Sequence, residues 1–163
     1  MSNELTTQDT TLVNYNPGRA TLLEMRADSA RFPRLKTMQR EQVVDGMTRI
    51  VSQAFLYRGQ TADKTNIQFI ASALADELLE DGNGGGNLSL AEIQVIVKRA
   101  VLDTDIYLSV STIYKVITAF LKGEGRENQA RVDNIRRSKK PYSPGMTMVT
   151  AATGEFIRNH KSK

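Results

Sequence analysis

Apolar residues recur at every third or fourth position through residues 37–122, and no other stretch sustains the pattern as long. Val43, Met47, Ile50 and Ala54, with Val44, Val51 and Phe55 beside them, predict a first helix. Thr37 is placed to cap its start, and Arg58-Gly59 to end it. Ile67, Ile70, Leu74 and Leu78 predict a second helix that begins near Asp63. The glycine-rich run Gly82–Gly86 must stop that helix, because each glycine costs about 1 kcal/mol relative to alanine in a helix interior. Ser89 and Glu92 have the spacing of a capping box, and Leu88 and Ile93 that of a hydrophobic staple. They open a third helix with Ile93, Ile96, Val97, Ala100 and Val101 on its apolar face. After the polar break Asp103–Asp105, Ser109 or Ser111 caps a fourth helix bearing Ile113, Val116, Ile117, Phe120 and Leu121 and closed by Lys122-Gly123. The stretch Ile106–Val110 also suits a short extended piece, but four helices with short loops fit better.

The fold expected is therefore all-α, a compact bundle of about four helices over residues 37–122. Its core is Val43, Met47, Ile50, Val51, Ile67, Ile70, Leu74, Leu78, Ile93, Ile96, Val97, Ile113, Val116, Ile117 and Phe120. Aromatic residues make up only 6% of the chain, so Phe55, Tyr57 and Phe69 are assigned to the interior as well.

The flanks lack sustained periodicity. Residues 1–36 read as an N-terminal arm, with a turn at Asn16-Pro17-Gly18 and a proline at Pro33 that discourages helix at Phe32. A short helix over Ala20–Ala27 would dock Leu22, Leu23 and Met25 on the body. Residues 123–163 read as a basic C-terminal tail, in which Val132 and Ile135 share one face of a frayed helix. No repeat of solenoid length is present.

Composition narrows the class. A chain of 163 residues, 40% hydrophobic and 25% charged, suits one globular domain with tails. No apolar run reaches the roughly 20 residues that cross a bilayer, so no membrane association is expected. The N-terminal residues lack the basic-then-apolar pattern of a signal peptide, which makes the cytoplasm the expected compartment. Cysteine is absent, which removes disulfides and thiolate metal sites. The formal charge of +4 is uneven: residues 122–163 hold 10 of the 22 Lys and Arg and 4 of the 18 Asp and Glu, leaving 12 against 14 before them. A near-neutral body with a basic tail suits a polyanionic partner.

Arg126, Arg131, Arg136, Arg137, Lys139 and Lys140 are thus the candidate nucleic-acid contacts, with Tyr142 to stack on an exposed base. The alternative is a solvated tail, or one that docks on the acidic cluster Asp76, Glu77, Glu80 and Asp81. That cluster sits at a helix C-terminus, where the dipole disfavours each anion by about 0.3–1 kcal/mol, so a cation or a basic partner would relieve it. Catalysis is not expected. The single histidine, His160, lies near the end of the chain, and no nucleophile, zinc or phosphate-loop motif is present. A magnesium site on Asp76, Glu80 and Asp81 would draw all its acids from one helix end, unlike the sites of phosphoryl chemistry.

The stretch from Asp81 to Glu92, DGNGGGNLSLAE, resembles the calcium loop of the EF-hand family. The resemblance implies side-chain oxygens from Asp81, Asn83, Ser89 and Glu92 and a carbonyl from Asn87, with Gly86 at the obligatory glycine. Gly85 departs from it, carrying no oxygen at loop position five, and no second copy of the loop is present.

The order of elements, LADELLE, then NLSLAEIQVIVKRAVL, then YLSVSTIYKVITAFLKG and an arginine-rich tail, resembles small helical replication-accessory proteins of phages and mobile elements, including loaders of the replicative helicase. The likeness spans about residues 38–140. It implies a compact helical domain with a mobile basic C-terminal segment that engages the helicase. The function expected is a non-catalytic accessory or adaptor protein that binds a protein partner through its helical body, with nucleic acid a further candidate partner for the tail. The alternatives are a calcium-binding helical module and a structural protein whose arms mediate subunit assembly.

Overall fold

Polar side chains set where the helices begin. The computed structural model describes residues 17–80 and 82–139. Six α-helices occupy them: α1 (Leu22–Ala27), α2 (Arg40–Tyr57), α3 (Lys64–Glu80), α4 (Leu90–Asp103), α5 (Val110–Lys122) and α6 (Glu124–Ser138), with 3-10 turns at Leu35–Thr37 and Gly85–Asn87. No strand occurs among the described residues. The fold is all-α, as the periodicity predicts.

Asp63 accepts the Asn66 amide at 2.6 Å to start α3, Ser89 accepts the Glu92 amide at 3.3 Å to start α4, and Ser109 accepts the Thr112 amide at 3.2 Å to start α5. Each satisfies a donor that the first helical turn leaves without a partner. At α2 the cap is Gln39 rather than Thr37: the Gln39 amide donates to Gln42 Oε1 at 3.1 Å. Thr37 ends the 3-10 turn instead, its hydroxyl donating to the Arg34 carbonyl at 2.8 Å. The end of α2 follows expectation. Gly59 takes a φ of +63°, and the Gln60 amide reaches the Phe55 carbonyl at 3.0 Å, closing a Schellman motif.

The body is α2 packed against α3 and α4, with α5 against α4 and α3. Its core takes in most residues the periodicity names, with Ile67 and Phe120 half-buried at its margin and Val116 half-buried outside it, and adds Leu35, Leu88, Leu90 and Leu108. At the contact between α2 and α4, a Cβ on Gly46 would lie 2.4 Å from Leu90 Cδ1, so a residue without a side chain permits the close approach. Phe55 is buried, but Phe69 and Tyr57 are not: they sit on the outer sides of α3 and α2, so two of the three aromatics assigned to the core are surface residues.

The segment read as an arm packs against the body from Ala20 onward. Thr21 and Glu24 form a capping box, and Leu22, Met25 and Phe32 build a second, smaller core with Ala91 of α4. The Leu35 amide then donates to the Leu88 carbonyl at 2.9 Å. The segment read as a basic tail begins with a regular helix, α6. By internal compactness the chain divides at Val132, within α6, into a unit of residues 1–132 and a unit of residues 133–163. In the first unit α6 buries Gly125, Asn128 and Val132; in the second, the last turn of α6 exposes Arg136 and Arg137.

Candidate functional site

Glu92, which the sequence marks both as a capping residue and as a metal ligand, is 1% exposed and lies between two arginines. Arg26 Nε sits 3.0 Å from Oε1, as an ion pair whose N–H is not aligned for a hydrogen bond, and Arg34 Nη1 donates to Oε2 at 2.9 Å. The Ser89 amide and hydroxyl also donate to Oε2, at 2.8 and 2.9 Å. The guanidiniums in turn reach carbonyls: Arg26 Nη1 donates to Asn87 O at 2.8 Å, and Arg34 Nη2 to Arg26 O. A buried carboxylate needs this many partners, because removing it from water costs several kcal/mol. Its position at the N-terminus of α4 adds the favourable end of the helix dipole.

This lock bears directly on the calcium loop. Three of the five oxygen donors that the resemblance implies (the Asn87 carbonyl, the Ser89 hydroxyl and the Glu92 carboxylate) already contact protein groups. Asp81 lies outside the described residues. Gly85 is buried, and a Cβ there would lie 3.0 Å from the Leu78 carbonyl oxygen. The glycine at loop position five, where a calcium loop would carry an oxygen ligand, thus serves the fit of the loop against α3. Among the described residues no group of three or more His, Asp or Glu side chains gathers as a metal site would require.

The acidic end of α3 also has a partner. Arg40 Nε and Nη2 grip Asp76 at 2.6 and 2.8 Å, and Nη2 reaches Ser72 Oγ at 3.0 Å. Arg40 opens α2 and Asp76 lies in the last turns of α3, so each charge is unfavourably placed in its own helix and the pair offsets both. The hydrogen bond from Arg40 holds the Asp76 carboxyl below its ordinary range, and the same bond raises Arg40.

Of the predicted nucleic-acid contacts, Arg126, Arg131, Arg136 and Arg137 are exposed on α6 and Lys139 just beyond it; Lys140 and Tyr142 lie outside the described residues. At 3.6 residues per turn, Arg126 and Arg131 point roughly 140° apart, and Arg136 and Arg137 roughly 100° apart, so neither pair forms a stripe. The helix carries four arginines against three acids, with Glu124 and Glu127 in its first turn and Arg136 and Arg137 in its last. That order also complements the dipole of the helix.

The feature that sequence reasoning missed is the end of the bundle where α2 and α4 finish. Leu56 (76% exposed), Tyr57 (43%), Leu102 (59%) and Tyr107 (77%) all lie there. Arg58 joins the two chain segments by pairing with Asp105 and donating to the Thr104 carbonyl at 3.4 Å. Beside them runs a cleft of about 450 Å³ between Pro17–Gly18 and the walls formed by Tyr57, Gln94, Lys98 and Leu102. Lys98 Nζ lies 5.4 Å from the centre of the Tyr57 ring. Gln94 Nε2 donates to Gln53 Oε1 at 2.9 Å, while its own Oε1 is buried without a partner among the described residues, a deficit of about 1–3 kcal/mol for a neutral group. The helical period gave one clue: Leu56 and Leu102 fall off the apolar stripes of their helices.

No helix among the described residues is long and apolar enough to cross a membrane. Comparisons with protein-family models, curated proteins and solved structures find no match.

Proposed function

We propose that the protein is a non-catalytic helical adaptor that docks a protein partner through the end of the bundle where α2 and α4 finish. The observation that carries this reading is the gathering there of Leu56, Tyr57, Leu102 and Tyr107, four large side chains that the fold leaves in water. Tyrosines are enriched among the anchors of protein interfaces, and exposed apolar side chains grouped beside a cleft mark an interaction site. The carboxylates that the sequence offered for metal chemistry support the same reading: Asp76 and Glu92 are each held by arginine. A replication-accessory role of the phage or mobile-element kind is the setting that the sequence resemblance suggests.

The test is photo-crosslinking in extracts of the source cells, with benzoylphenylalanine at position 56, 107 or, as a control on α3, 68. The reading expects one and the same protein to be captured from 56 and 107 and not from 68. Equal capture from all three positions, or none from 56 and 107, contradicts it.

A second reading keeps nucleic acid as a partner, on the observation that Arg126, Arg131, Arg136, Arg137 and Lys139 are all exposed. Anisotropy of labelled single- and double-stranded oligonucleotides against the full chain tests it. Binding through phosphates falls with salt, and each arginine removed lowers the slope on duplex DNA by about 0.9. Affinity that ignores both salt and the Arg126→Ala, Arg131→Ala double variant speaks against it.

A further inference from the structure

The cleft beside Tyr57 has a chemistry more specific than an apolar surface. Its walls are aromatic and aliphatic: the Tyr57 ring, Leu102, Val95 and Ala20. Two cations stand at its edge, and they differ. Arg99 is paired with Glu124 at 3.2 Å, whereas Lys98 has no carboxylate partner among the described residues and rests against the Tyr57 ring. Lys98 is exposed, so its ammonium, 5.4 Å from the centre of an aromatic ring and next to aliphatic carbon, is open to an anion brought alongside. Asp103 also lines the cleft, so the net positive charge there is small and suits a single carboxylate better than a run of phosphates.

From these features we infer that the cleft receives an acidic amphipathic segment of a protein partner. This inference rests on the adaptor reading and adds to it the place and the chemistry of recognition. An aliphatic or aromatic side chain of the segment fills the space between Tyr57 and Leu102. A carboxylate one or two residues away meets Lys98. The charge complementarity is what selects this occupant over a nucleic-acid strand, since one cation without a carboxylate partner among the described residues, in a cleft that Asp103 also lines, gives a polyphosphate little to hold.

The experiment is selection of random twelve-residue peptides displayed on phage against the immobilised full chain, followed by anisotropy of the selected peptide, fluorescein-labelled. The inference expects the selected peptides to be enriched in Asp or Glu next to a Leu, Phe or Tyr. It expects Lys98→Glu and Leu102→Ala each to weaken binding by about tenfold, the scale of a central anchor or a buried charge contact. Lys98→Glu changes an exposed side chain, and a circular-dichroism melt verifies that the fold is kept. A second selection against Lys98→Glu should replace the acids with Lys or Arg.

Failure of the inference separates from failure of the adaptor reading. Peptides without acidic bias, or peptides whose affinity ignores both substitutions but falls with Leu56→Ala or Tyr107→Ala, overturn the cleft and leave the adaptor reading standing. A selection that enriches no sequence overturns the inference, and crosslinking from positions 56 and 107 then decides the adaptor reading alone. A labelled fifteen-residue oligothymidine that binds with loss of affinity in Lys98→Glu overturns the assignment to a peptide in favour of single-stranded nucleic acid.

Discussion

Substituting Glu92 removes three things together: the anion between Arg26 and Arg34, the acceptor for the Ser89 amide and hydroxyl, and a negative charge at the start of α4. One buried guanidinium, that of Arg26, and one half-buried, that of Arg34, then lie close together without an anion. Denaturant melts should show Glu92→Ala losing about 3–5 kcal/mol, the cost of breaking a buried pair from one side. Ser89→Ala loses the cap and one donor to Glu92 but leaves the arginine pairs in place, about 1–2 kcal/mol. Equal losses would mean that the arginines contribute nothing beyond the cap. The exposed pair behaves differently with pH. Asp76 has a lower pKa folded than unfolded, so its contribution is complete above the unfolded value and fades as pH falls through the folded one. The melting midpoint of the native chain should exceed that of Asp76→Asn at neutral pH, and the gap should close in strong acid; a gap that widens on acidification contradicts the pairing. Of these contacts the sequence reveals only the local half. Ser89 and Glu92 are three residues apart and announce a capping box, whereas Arg34 reaches Glu92 across 58 residues and leaves no periodic trace.

At the scale of elements, the helices and most of their ends are legible because their signals are local. Asp63, Ser89, Ser109 and Gly59 each act within four residues of themselves. Thr37 misleads because a 3-10 turn precedes α2 and spends its hydroxyl on the Arg34 carbonyl. Tyr57 and Phe69 mislead for another reason: scarcity of aromatics argues for burial, but position on the helix decides it. That α1 docks through Leu22 and Met25 was legible in its own residues, but not the surface that receives them, which includes Ala91 of a distant helix. Contact between helices also fixes Gly46. Alanine there would gain about 1 kcal/mol of helix propensity, yet its Cβ would collide with Leu90, which is itself buried. Overpacking of this kind costs about 1–3 kcal/mol, so a net loss in the thermal midpoint of Gly46→Ala is expected. A gain would show that Leu90 has room to turn aside.

Across the whole molecule, the question is which polar groups the fold has already used. Arginines of the N-terminal segment and of α2 hold Glu92 and Asp76. Among the outward-facing groups is the end of α2 and α4, with its four exposed side chains and the cleft beside Lys98. One consequence concerns the calcium loop: a ligand that binds only the folded state must raise the midpoint, so millimolar calcium and chelator should give the same melt. A rise with calcium would mean that Glu92 exchanges its arginines for a metal. The candidate site itself was not legible in the sequence, because Tyr57, Lys98 and Leu102 share no local pattern and meet only through the fold.

Residues 20–35 are fastened to α4 through Glu92, and a loose segment would return that carboxylate to solvent and remove one wall of the cleft. Amide hydrogen exchange on the full chain tests this directly. Exchange of the amides of Leu35, bonded to the Leu88 carbonyl, and of Met25, bonded to the Thr21 carbonyl, is expected to be slowed to the range seen across α4. Exchange of both at the rate of an unstructured peptide would contradict the account.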